Sequence, residues 1–153
     1  FSEALLKAHK NVKRCSVCCN LTELDVCPIC SSNKRTDKVI CVVESPKDVD
    51  AIERTNEYKG KYHVLHGLMS PIDGVGPDDL TVKQLLSRLD TDVEEIIMAT
   101  NPTVEGEATA MYIARLIKPF GMFFNVSLNI VLPNVLMLPI TFHDLSSVIL
   151  SWI

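Results

Sequence analysis

Positive charge is what this sequence most lacks. Its 153 residues hold 15 Lys and Arg against 19 Asp and Glu, a formal net charge of −4 with a pI near 5.5. That balance excludes a chain built throughout as a basic glove for nucleic acid. The shortage is uneven. Residues 1–40 carry seven Lys/Arg and four Asp/Glu, whereas residues 41–153 carry eight and fifteen. Nor does the start, FSEALLKAHKNVKR, read as a secretory leader, because it is amphipathic and charged, and none is expected. Six cysteines without such a leader point to a reducing compartment, and to metal rather than disulfides. No internal repeat is present. The chain begins at Phe1 rather than Met, so a fragment or a processed product is expected. The length leaves room for one good core, or for one domain with a small appendage.

What is present is organised around Ile96–Glu107, IIMATNPTVEGE. Glu95–Ala99 reads as a strand buried on both faces, because its apolar run does not alternate. Thr100-Asn101-Pro102-Thr103 is turn chemistry, and a helical pattern starts at Glu105. Val39–Val43 has the same form: it runs into Glu44, and Ser45-Pro46-Lys47-Asp48 opens a helix, with Asp48 able to reach back to the N-cap. Two strand ends carrying a carboxylate and an amide on one sheet edge suggest one shared site.

Cys15-Ser-Val-Cys18 and Cys27-Pro-Ile-Cys30 are the strongest local signal. Each pair puts two thiolates on one tight knuckle, and two knuckles close a tetrahedron around Zn²⁺. A pair of redox dithiols is the alternative; two matched pairs favour the metal. Cys19 is set aside as a non-ligand. Lys13, Arg14, Lys34 and Arg35 flank the cysteines, where they either offset the thiolate charge or meet DNA. The sequence before the knuckles, residues 1–14, reads as the end of an amphipathic helix, with Phe1, Leu5 and Ala8 or His9 on one face.

After a polar linker, the remaining elements follow in β-α order. The first helix buries Val49 and Ile52 and ends at Lys59-Gly60. Tyr62–His66 is a strand, with His63 and His66 structural rather than catalytic. Gly67–Pro77 is a long loop, of a length that usually carries function. Asp78 or Asp79 caps a helix that buries Val82, Leu85, Leu86 and Leu89. The helix from Glu105 packs through Ala108, Met111, Tyr112, Leu116 and Ile117, and stops at Pro119 and Gly121. This alternation predicts an α/β fold: a small four-cysteine zinc finger (residues 15–38 with its linker) followed by a parallel sheet flanked by helices, residues 39–121.

Residues 122–153 change character. They contain no Lys or Arg, and Asp144 is their only acid. The uncharged run matches the roughly 20 residues a membrane span needs. Asn125, Asn129, Asn134, Pro133, Pro139 and the absence of flanking cations count against a span. Buried strands are a second reading, and text never selected as part of this domain is a third.

The four-cysteine knuckles, then VICVVESPKDVDAIE, then YKGKYHVLHGLMSPIDGVGP, then IIMATNPTVEGEATAMYIARLIKPFG, stand in an order and spacing that resembles the bacterial RecR family of recombination mediators. The resemblance runs from about Leu5 to Gly121. It implies a zinc finger with Zn²⁺ on Cys15, Cys18, Cys27 and Cys30, joined to a Toprim domain. It also implies a DNA-repair role at single-stranded gaps, promoting recombinase loading with RecO- or RecF-like partners, in a cytoplasmic, nucleoid-associated homo-oligomer, or an organellar one in a eukaryote.

In Toprim enzymes a strand-end Glu and an Asp-x-Asp pair hold Mg²⁺ for phosphoryl chemistry. Here Glu44 matches the Glu, Asn101 and Thr103 stand at the two Asp positions, and Glu105 and Glu107 match the acids that follow. Losing two carboxylates argues against catalysis, since Mg²⁺ is held through carboxylates or phosphates. The edge Glu44, Asn101, Thr103, Glu105 and Glu107 then becomes a partner-docking candidate. Lys7, Lys10, Lys13, Arg14, Lys34, Arg35 and Lys38 become DNA-contact candidates, for non-specific binding of single-stranded and duplex DNA. The family's helix-hairpin-helix module has no counterpart from Phe1 onward, and past Gly121 the expected strand and Gly-rich turn are not apparent. Two rival readings remain: a Mg²⁺-dependent Toprim nuclease, primase or topoisomerase fragment, and a defective truncated RecR-like product.

Overall fold

The computed structural model describes residues 12–89 and 92–126. A two-stranded antiparallel hairpin, β1 (Lys13–Arg14) and β2 (Leu21–Thr22), carries the first cysteine knuckle, and the short helix α1 (Pro28–Ser31), capped by Cys27, carries the second. The larger unit is a sheet of four parallel strands in the order β4-β3-β5-β6: β3 (Val39–Val43), β4 (Lys61–Val64), β5 (Glu95–Ala99) and β6 (Phe123–Val126). Helices α2 (Pro46–Glu53), α3 (Val82–Leu86) and α4 (Val104–Ile117) make the crossovers, with a 3-10 turn at Pro77–Asp79. The α/β architecture is the one the alternation of patterns predicts.

The lack of alternation in β3 and β5 has its cause in the two faces of the sheet. On one face, Ile40 and Val42 of β3 and Ile96 and Met98 of β5 pack against Val82, Leu85 and Leu89 and against Ala110, Ile113 and Ile117 of α4. On the other, Cys41, Val43, Tyr62, Val64 and Ala99 pack with Val49 of α2 and with Ile29 of the cysteine module. Successive residues point to opposite faces, and both faces are covered, so Val39–Val43 and Ile96–Ala99 are apolar throughout.

Several sequence expectations are corrected. Lys13 and Arg14 form a strand rather than a helix end, because the Cys15 knuckle needs extended arms: Cys15 N–H donates to Asn20 O at 2.7 Å and Cys19 N–H to Cys15 O at 3.0 Å. Residues 1–11 lie outside the described residues. Helix α2 stops at Glu53, not Lys59; Asn56 adopts a left-handed φ of 56° just beyond and ends it. Strand β4 runs from Lys61 to Val64, so it starts one residue earlier and stops at Val64 rather than His66.

Helix α4 buries Gly106, Thr109, Ala110, Ile113 and Ile117, while Met111 is 58% exposed and Ala108 is also exposed. The first turns of this helix lie so close to the Asn101–Thr103 turn that only a small residue fits at position 106. A Cβ on Gly106 would lie 2.0 Å from the Asn101 carbonyl oxygen. Tyr112 and Leu116 keep a place at the rim of the core. Finally, the strand not apparent after Gly121 exists: Phe123–Val126 pairs in parallel with Glu95–Met98. Gly121 makes that turn with a φ of 70°. The remaining tail, from residue 127, lies outside the described residues.

Candidate functional site

The two knuckles bring four sulfurs together. Cys15, Cys18 and Cys27 are buried, Cys30 is partly so, and their Sγ atoms all lie within 4.8 Å of one another. Sulfurs of different pairs touch, Cys18 Sγ lying 3.5 Å from Cys27 Sγ. That contact holds the Cys27 thiol below its ordinary pKa and the Cys18 thiol above it. Backbone N–H groups aim at the sulfurs, Cys27 N–H at Cys15 Sγ (3.3 Å) and Cys30 N–H at Cys27 Sγ (3.4 Å), which favours thiolates. Four thiolates around Zn²⁺ at about 2.3 Å stand about 3.8 Å apart, so the cluster fits the ion with little movement. Zn²⁺ supplies a cross-link here rather than chemistry: all four positions are protein ligands. Cys19 lies outside the cluster; it sits at φ 62° and is buried.

The module is fastened to the edge strand of the sheet. Val64 N–H donates to Cys18 O (2.9 Å), Thr36 N–H to Lys59 O (3.0 Å), and the His66 ring pairs with Cys19 O through Nε2 (2.6 Å). His63 is fully buried and pairs through Nε2 with Thr81 O (2.9 Å), while Arg88 donates to its Nδ1 (3.2 Å). Both histidines therefore serve the fold. The sequence reading missed Lys61, which is 4% exposed and reaches into the cysteine module. A charged residue at the head of an otherwise apolar strand was the available signal.

Strands β3 and β5 end in register, Val43 opposite Ala99, so the residues that follow share one edge. There the Asn101 side-chain amide donates to Glu44 Oε2 at 2.8 Å. Partial burial and the nearby Asp48 raise the Glu44 pKa, and the Asn101 bond lowers it again in part. Asp48 is already engaged, accepting from the Ser45 N–H (2.8 Å) and hydroxyl (3.0 Å). Thr103 is the N-cap of α4, its Oγ1 accepting from Gly106 N–H at 3.1 Å. Glu105 and Glu107 stand in the first turn of that helix, where acids complement the dipole. The structure thus joins Glu44 to Asn101, gives Thr103 to capping, and leaves Glu107 exposed.

The cations separate into two groups. Lys13, Arg14, Lys34 and Lys38 are exposed, with Lys13 3.7 Å from Asp25 and Lys38 2.6 Å from Glu94. Arg35 is a correction to the DNA-contact set. Its guanidinium turns inward to Glu53 (2.5 Å) and to the carbonyls of Gly60 (3.2 Å) and Tyr58 (3.5 Å). Lys7 and Lys10 fall outside the described residues.

Comparison with known proteins agrees with this geometry. Residues 12–32 match the family model of the RecR zinc finger domain, the four-cysteine form, and residues 38–127 match that of the Toprim domain. Recombination protein RecR of Desulfitobacterium hafniense (strain DSM 10664 / DCB-2) is 54% identical over 122 residues, which is 80% of this chain and 61% of that protein. Recombination protein RecR of Heliobacterium modesticaldum is 59% identical over 123 residues, 80% of this chain and 62% of that protein. The chain therefore spans about three fifths of the length of these curated relatives. With four cysteines set for zinc and a parallel sheet of Toprim form behind them, the chain belongs to the Toprim family and is of the RecR type.

Proposed function

We propose that this chain is that of a DNA recombination and repair mediator, acting by binding rather than by catalysis. The observation that carries this reading is the hydrogen bond between Asn101 and Glu44. In a Toprim enzyme this edge needs carboxylates converging on a hard cation. Here an amide donates to the strand-end carboxylate instead, and Asn101 and Thr103 bring no carboxylate to the edge. The remaining acids, Glu105 and Glu107, give the edge negative charge suited to a basic protein surface and unsuited to phosphate. DNA then falls to the opposite kind of surface, the exposed Lys13, Arg14, Lys34 and Lys38 near the finger. On this reading the partners are DNA without sequence preference, RecO- and RecF-like proteins, and further copies of the chain in the complete protein.

Two measurements test it. Incubation with supercoiled and single-stranded DNA and Mg²⁺ should yield no cleavage; Mg²⁺-dependent nicking that Glu44→Ala removes would overturn the non-catalytic reading. Titration with a RecO-like partner should weaken when Glu44→Ala and Glu107→Ala are combined. Unchanged affinity would return these acids to helix capping.

A further inference from the structure

Lys61 does not belong to the cysteine module in sequence, yet its ammonium sits inside it. The residue heads edge strand β4 and is 4% exposed. Its Nζ donates to three backbone carbonyls around the second knuckle: Ile29 O at 3.2 Å, Cys30 O at 2.7 Å and Ser32 O at 3.1 Å. Three donors thus meet three acceptors, and one of these carbonyls belongs to a metal ligand. The side chain's acidic neighbour is Asp37, 3.6 Å away and 79% exposed, where water screens it. A buried ammonium held by neutral carbonyls and one screened acid is poorly compensated by them.

The zinc centre supplies the missing charge. Four thiolates around a dication leave two net negative charges in a buried site. The other cations of the region do not occupy that position: Lys13, Arg14 and Lys34 are exposed, and Arg35 is paired with Glu53. We infer that Lys61 is the internal counter-cation of the zinc centre, contributed by the sheet, so that loading the metal and docking the finger on strand β4 are one coupled event. With the metal gone, the second knuckle is no longer held in the conformation that aims the Ile29, Cys30 and Ser32 carbonyls at Lys61, and a buried ammonium is left without its cage. Expelling the ammonium to water then undoes the docking that Val64 N–H to Cys18 O and the His66–Cys19 contact report. The finger is by this account a metal-dependent cover for an open sheet edge.

The test uses the whole chain. Zinc affinity is measured by competition with a chromophoric chelator for the wild type, Lys61→Met and Lys61→Arg. Loss of this outer-shell charge should weaken zinc binding roughly ten- to a hundredfold in Lys61→Met, while Lys61→Arg keeps most of the affinity. Met preserves the apolar stem, so a role in packing alone would leave the affinity of Lys61→Met unchanged, and that result would overturn the inference. Amide exchange gives a second readout that does not depend on a variant folding. Stripping zinc from the wild type should expose the Val64 amide to exchange. A Val64 amide that stays protected without zinc would equally overturn the coupling.

Discussion

Gly106 is the residue at which one methyl group would do most damage. Its missing Cβ would stand 2.0 Å from Asn101 O, 3.2 Å from Asn101 C and 3.3 Å from Thr103 Oγ1. Two of these atoms are backbone and cannot swing away, so the α4 start would have to lift off the sheet. Gly106→Ala should therefore cost about 3 kcal/mol, at the upper end of overpacking changes, as read by urea unfolding of the zinc-loaded chain. His63 gives a pH dependence. Burial, and then the nearby Arg88, lower its folded pKa to about 4, against about 6.5 when unfolded. The unfolded chain thus binds the extra proton first. Stability from this residue is complete above about pH 6.5 and declines as pH falls towards 4, by about 3 kcal/mol in all. His63→Gln should flatten the difference between urea midpoints at pH 7 and pH 5, measured at saturating zinc so that metal release does not contribute.

At the scale of elements, the two central strands and the helix that follows each differ in what their sequences reveal. Strands β3 and β5 were legible to the residue, because a strand covered on both faces is apolar at every position and turn chemistry bounds it. Ile96→Ala, at a fully buried central position, should cost about 2–5 kcal/mol. Phe123→Ala on edge strand β6, where the ring is 70% exposed, should stay within about 1 kcal/mol. The start of α2 was also legible: Asp48 does reach back to Ser45 N–H, and Asp48→Ala should cost about 1 kcal/mol in thermal or urea unfolding. The buried face of α4 was legible only towards its end, at Tyr112, Leu116 and Ile117. Its choice of Gly106, Thr109 and Ala110 over Met111 depends on how near the helix axis passes to the sheet. The Thr109 hydroxyl shows the same dependence. It donates to Glu105 O (2.7 Å) and accepts from Met69 N–H (2.9 Å), which ties the long loop to the helix.

For the whole molecule, the balance of charge sets how it meets DNA. The net charge is −4, and four of the exposed cations, Lys13, Arg14, Lys34 and Lys38, stand in or beside the finger. Duplex binding through about three or four phosphate contacts should weaken about 40- to 150-fold between about 50 and 200 mM salt. Fluorescence anisotropy at the two salt concentrations reads this directly, and tight binding that survives the higher one would contradict it. Two substitutions separate contact from scaffold. Lys34→Ala should lower DNA affinity and leave stability unchanged. Arg35→Ala should lower stability by about 2 kcal/mol, because it takes the guanidinium from the carbonyls of Tyr58 and Gly60 and leaves Glu53 with the Tyr62 hydroxyl alone in a partly screened site.

The sequence by itself determined the ligand set, the order of strands and helices from Val39 to Ile117, and the identity of the residues at the shared edge. These follow from local rules: thiol spacing on a knuckle, apolar runs between turns, and residues fixed relative to their own strand ends. It did not determine whom those residues would meet. That Asn101 bonds Glu44 across two strands, that Thr103 is given over to a cap, that Arg35 turns inward, and that Lys61 crosses into the finger are contacts between parts far apart in the chain. Each depends on distances set by packing: the register of β3 on β5, the closeness of α4 to the sheet, and the seating of the finger on β4. Side-chain chemistry made those pairings possible, and only the tertiary structure chose among them.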